Sequence, residues 1–95
     1  MSTIDVRRNH ALPKEEARSR AEMLAQTMQK RFDLEWHWEG DKILFEAPRG
    51  AAKGTRGSVD VTDNEVRVQI DLPLLLRVMK GTVESKVHEK LGQIL

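Results

Sequence analysis

LEWHWEGDKILFEA, residues 34–47, decides the fold. Apolar and polar side chains alternate through it: Leu34, Trp36 and Trp38 share one face, and Glu35, His37 and Glu39 the other. A period of two marks a half-buried strand. The alternation breaks at Gly40-Asp41 and resumes with Ile43, Phe45 and Ala47 opposed to Lys42, Leu44 and Glu46. Two such residues between alternating runs read as a tight hairpin turn. Folding the chain there sets Trp38 against Ile43, Trp36 against Phe45 and Glu39 against Lys42, so apolar meets apolar and acid meets base. One pair conflicts, since Glu35 falls against Glu46.

The next alternating stretch passes the same test. With Asp63-Asn64 as the turn, Val61 faces Val66, Val59 faces Val68, Asp60 faces Arg67 and Arg56 faces Asp71. Upstream, residues 3 to 7 alternate around Ile4 and Val6 and read as a short strand. Pro13 then opens a helix, with Glu15 and Glu16 in its first turn and Lys30 and Arg31 in its last, as the helix dipole favours. Its inward stripe is Ala17, Ala21, Leu24, Ala25 and Met28. Downstream, Pro73 starts a second helix whose inward stripe is Leu72, Leu75, Leu76, Met79, Val83, Val87, Leu91 and Ile94, with Gly81 as the expected point of interruption.

Strand, helix, four strands and helix in that order predict an α+β two-layer sandwich. An antiparallel sheet (β-α-β-β-β-β-α order) has its tryptophan and valine face covered by both helices and its charged face in water. Trp36, Trp38 and Phe45 are expected in the core. At 95 residues, the whole chain, 1–95, reads as a single domain. A chain of this size has little interior to spare for a ligand, and no cofactor is expected.

Sixteen basic and fifteen acidic side chains, interleaved in sequence, give a net charge of +1. That balance lacks the basic stripe of a nucleic-acid binder. Cysteine is absent, which removes disulfides, thiol nucleophiles and thiolate metal sites. The start, MSTIDVRRNH, has no apolar leader, and no run approaches the ~18 apolar residues of a membrane span. The reading is a cytoplasmic protein.

Candidate chemistry is sparse. His10, His37 and His88 form no HxH or HxxxH pair, so no metal site is expected. Carboxylates alternate with basic partners on an open sheet face instead of pairing in a pocket, and no Gly-x-Ser-x-Gly elbow is present; no catalytic residue is assigned. PRGAAKGTRG, residues 48–57, reads as a mobile basic connection in which Arg49, Lys53 and Arg56 could meet an anion or an anionic surface. It is not a P-loop, because the local order is Lys53-Gly54-Thr55. The surplus lies in DLPLLLRVMKG, residues 71–81. Successive residues of a helix differ by about 100°, so Leu74 to Leu76 fan over roughly 200° and cannot all face one core. Leu74 and Val78, with neighbouring Leu75, are the candidate partner-binding residues.

Five stretches carry a family resemblance: STIDVRRNHAL, EEARSRAEMLAQ, RFDLEWHWEGDKILFEA, GSVDVTDNEVRVQIDLP and LLLRVMKGTVESKVHEKL. In this order the chain resembles the small polyhydroxyalkanoic acid system proteins, which are associated with bacterial polyester storage granules. The resemblance implies a bacterial cytoplasmic protein, at the storage-granule surface or bound to a granule-associated protein, with no catalytic residues to carry over. The alternative expectation is a small homodimeric binding module for an apolar or anionic ligand, linked to granules indirectly.

Overall fold

In a computed structural model that describes residues 3–95, the five strands form one antiparallel sheet. β1 (Ile4–Asn9) leads to α1 (Lys14–Phe32), and β2 (Glu35–Glu39), β3 (Lys42–Glu46), β4 (Arg56–Val61) and β5 (Glu65–Asp71) follow. A 3-10 helix (Leu74–Met79) then runs into α2 (Lys80–Ile94). The observed class is α+β, in the element order the sequence predicts.

Both hairpin registers hold residue for residue. Trp36 pairs with Phe45, Trp38 with Ile43 and Glu39 with Lys42; Arg56 pairs with Asp71, Val59 with Val68, Asp60 with Arg67 and Val61 with Val66. Gly40 takes φ +60 at the first turn position, which glycine adopts without strain. The Glu35–Glu46 opposition is present too. Arg49 relieves it by donating to Glu35 at 2.9 Å.

β1 is longer than the sequence suggests and pairs antiparallel with β5, giving the spatial order β1-β5-β4-β3-β2. Inward side chains of the sheet, among them Ile4, Val6, Ile43, Val59, Val66, Val68 and Ile70, are buried against Ala17, Ala21, Leu24 and Ala25 of α1 and Val87 and Leu91 of α2. The alanines let α1 lie close to the sheet, and each fully buried large side chain contributes roughly 1.5–3 kcal/mol. Pro13 caps α1 from outside rather than filling its first turn, and Asp33, at φ 56, ends it by donating its N–H to the Gln29 carbonyl.

Two expectations need correction. Trp36 and Trp38 are half-buried at the rim, not in the core. β2 is an edge strand, and an indole N–H must reach a polar partner; Trp38 donates to Glu22 at 2.9 Å and Trp36 to Gln29 at 3.0 Å. The Arg18 guanidinium lies 4.3 Å from the Trp38 ring centroid. Phe45, one strand further in, is buried, and its ring crosses Gly57, where an added Cβ would sit 2.5 Å from Phe45 Cζ.

The second correction concerns the tail. Pro73 does not start an α-helix, and the change to α-helix comes between Met79 and Lys80, just before Gly81. Leu75 and Met79, expected inward, are exposed. In a 3-10 helix residues three apart align, so Leu75 stands over Val78 and Leu74 over Arg77, while Leu76 is the one that packs against the core.

Candidate functional site

Glu35, Glu46, Arg56 and Asp71 form a row across the sheet at one of its ends. α1 finishes there, the 3-10 helix begins there, and the β3–β4 loop closes there. That loop is not the open tether its glycines suggest. Ala47 and Gly54 cross-link it, the Ala47 N–H donating to Thr55 at 2.8 Å and the Gly54 N–H to Ala47 at 3.0 Å. Inside, Lys53 donates to Gly50 at 3.1 Å and Thr55 to Ala52 at 3.0 Å. Gly54 adopts φ +93, and a Cβ there would lie 3.3 Å from Pro73 Cβ. The loop backbone therefore abuts the residue that launches the 3-10 helix.

Leu72 anchors that helix from the core, and Arg77 Nε donates to the Leu72 carbonyl at 3.2 Å. Beyond this anchor the apolar side chains face outward. Leu74 is 76% exposed, Leu75 88%, Val78 89% and Met79 47%. Single exposed leucines are ordinary, but four large apolar residues within one six-residue element form a patch.

Leu74, Leu75 and Val78, the three candidate partner residues, are all exposed on this element, Leu75 and Val78 in line on one face; Met79, in line with Leu76, is about half exposed. Sequence periodicity missed Met79 because it assumed 3.6 residues per turn. Arg49, Lys53 and Arg56 are distributed differently. Arg49 is held between Asp33 at 3.1 Å and Glu35 at 2.9 Å. The hydrogen bond to Asp33, then that to Glu35, raises its pKa further. Arg56 lies on β4 between Glu46 and Asp71 in register, and Lys53 is exposed on the loop.

The opposite sheet face carries a shallow trough lined in part by Leu44, Ser58, Gln69 and the Asp5–Arg67 pair. Arg67 forks onto Asp5 at 2.9 and 2.6 Å, and this hydrogen bonding holds the Asp5 carboxyl below its usual range. Lys42 approaches Asp60 at 3.6 Å and His37 approaches Glu39 at 3.0 Å. Such a face is laced by its own charges. His10 sits elsewhere, at the β1–α1 corner, where Nδ1 accepts the Leu12 N–H at 3.2 Å and Nε2 lies 3.0 Å from the Thr62 carbonyl. That arrangement requires the tautomer protonated on Nε2. His88 is exposed on α2. No helix among the described residues is long and apolar enough to cross a membrane.

A family model described as "Putative polyhydroxyalkanoic acid system protein" matches residues 4–95. Among curated proteins and solved structures, none matches the chain. With its match running from the first strand to the last residue, the chain belongs to this polyhydroxyalkanoic acid system family.

Proposed function

From membership of the polyhydroxyalkanoic acid system family, we propose that the chain is a non-enzymatic accessory protein of bacterial polyester storage. It works in the cytoplasm at the granule surface, docking through Leu74, Leu75, Val78 and Met79. The observation that carries this reading is the exposure of those four side chains on one short helix whose start is held by Leu72 and Pro73. Covering what they leave exposed, the equivalent of about three full side chains, would contribute about 4.5–9 kcal/mol at roughly 1.5–3 kcal/mol each. Association costs on the order of 4–15 kcal/mol, so the patch is of a size to hold the protein reversibly. The test is pelleting with polyhydroxyalkanoate particles. Leu74→Asp, with folding checked by circular dichroism, is expected to weaken binding at least about tenfold, the lower end of the loss of one buried leucine. Equal binding would remove the patch from the function.

A further inference from the structure

The corner between β1 and α1 is closed by a histidine that uses its backbone and both ring nitrogens. His10 donates its N–H to the Asn64 carbonyl at 2.9 Å, its Nε2 meets the Thr62 carbonyl at 3.0 Å, and its Nδ1 accepts the Leu12 N–H at 3.2 Å. One side chain thus ties the β4–β5 turn to the segment that leads into α1. The tie to Leu12 sets the direction of that segment, because Pro13, the N-cap residue of α1, makes no side-chain cap hydrogen bond. The next fixed points are Lys14 and Arg18, both held by Asp41.

The two ring bonds answer to protonation in opposite ways. An imidazolium carries N–H on both nitrogens. Nε2–H keeps its carbonyl acceptor at Thr62, and that bond becomes charge-assisted. Nδ1–H faces the Leu12 N–H, donor against donor, and that bond is lost. The elements around the corner bring charges of both signs. α1 brings Lys14, which is taken up by Asp41 of the β2–β3 turn, together with Glu15 and Glu16 of its first turn. The β4–β5 turn brings Asp63, whose charge acts on Lys14, and β5 brings Glu65 opposite Asn9. Arg8 of β1 lies along Gly92 of α2. Among the described residues no carboxylate forms an ion pair with the His10 ring, so its hydrogen bonds decide what a proton does there.

Independently of the docking reading, we infer that His10 is a pH-operated latch. With its ring neutral it holds Leu12 and fixes the chain entering α1; on taking a proton it lets Leu12 go and keeps its grip on the β4–β5 turn. The movement is confined to residues 11–13. On the sheet side the His10 N–H stays on Asn64, and on the helix side Asp41 keeps Lys14 and Arg18. Histidine is the side chain whose charge ordinarily changes between about pH 5 and 8, so the release needs only mild acid.

The test is nuclear magnetic resonance on the full chain. At about pH 8 the ring nitrogen shifts of His10 should show Nε2 protonated and Nδ1 bare; the reverse tautomer overturns the latch. Amide exchange, corrected for its intrinsic pH dependence, is then compared at about pH 8 and about pH 5. Protection of the Leu12 amide should fall at least about fivefold relative to that of the His10 amide, the worth of one ordinary hydrogen bond. Constant protection at Leu12, or equal losses at Leu12 and His10, overturns the selective release. His10→Ala should leave Leu12 poorly protected at both values. The double variant His37→Gln/His88→Gln, which changes two exposed rings, should respond as the wild type does. A pH response that survives His10→Ala, or that disappears in the double variant, assigns the effect to another group and overturns the inference.

Discussion

The tryptophans of β2 and the aliphatic residues of the 3-10 helix are two regions that the core covers incompletely, and they are finished in opposite ways. At the rim, each indole N–H has a partner, Glu22 for Trp38 and Gln29 for Trp36, and Arg18 lies over the Trp38 ring. Arg18 in turn pairs with Asp41, which also holds Lys14. What remains exposed there is already matched by polar neighbours. At the end of the sheet the backbone is equally well held, through the Gly54–Pro73 contact and the Arg77–Leu72 hydrogen bond, yet the side chains at Leu74, Leu75 and Val78 stay largely exposed. Partial exposure therefore has two meanings: a rim that closes a fold, and a patch the fold does not need. Mutations at the rim should cost stability; mutations in the patch should not.

The largest effect is expected at Trp38. Trp38→Ala removes a half-buried ring, its hydrogen bond to Glu22 and its stacking with Arg18. A loss of about 3 kcal/mol by urea denaturation is expected, at the lower edge for deletion of a large aromatic. Next comes Gly57→Ala. Its Cβ would lie 2.3 Å from the Gln69 carbonyl oxygen and 2.5 Å from the Phe45 ring, so strand or ring must move. Overpacking of this kind costs about 1–3 kcal/mol, and a variant as stable as the wild type would show that Phe45 does not lie across Gly57. Thr55→Val should go the other way. Thr55 is buried and its Oγ1 has no hydrogen-bond partner among the described residues. An apolar group of the same shape removes an uncompensated desolvation, with a gain of up to about 1 kcal/mol in the denaturation midpoint analysis.

A smaller, pH-dependent effect belongs to the charged sheet face. The hydrogen bond from Arg67, then its charge, lowers the Asp5 pKa in the folded chain. A folded value below the unfolded one means that the unfolded chain takes up the proton first as pH falls. The contribution is complete above the ordinary aspartate range and is lost as pH drops through the folded value. Asp5→Asn should therefore be slightly less stable than the wild type at neutral pH, and the difference should shrink below about pH 4. A gap that stays constant from neutral to acid would contradict the assignment.

The strand pattern was legible because the two turns allow one good register each. Moving either turn by a single residue would send Trp36, Trp38 and Ile43, or Val59 and Val68, to the wrong face. The α1 stripe was legible for the same reason, its alanines leaving only one face fit to approach the sheet. The tail was not. Leu74, Leu75 and Leu76 suit an α-helix as well as a 3-10 helix, and the choice is made by contacts distant in sequence: Leu72 in the core, Pro73 against Gly54, Arg77 back to Leu72. The excess of apolar side chains could be read from sequence, but not which of them face outward. The loop at residues 48–57 misled for a related reason, since its glycines signal freedom while Gly50 and Gly54, at φ +81 and +93, serve a closed turn. Arg49 looked free for an anion because its acids, Asp33 and Glu35, come from another corner of the chain.

The contrast between rim and patch is tested most directly by measuring stability and particle binding together on Leu75→Asp/Val78→Asp. Both side chains are almost fully exposed, so the unfolding free energy should change by no more than about 0.5 kcal/mol, while binding to polyhydroxyalkanoate particles should fall below detection. A variant that unfolds, or one that stays folded and binds as the wild type does, would contradict the account.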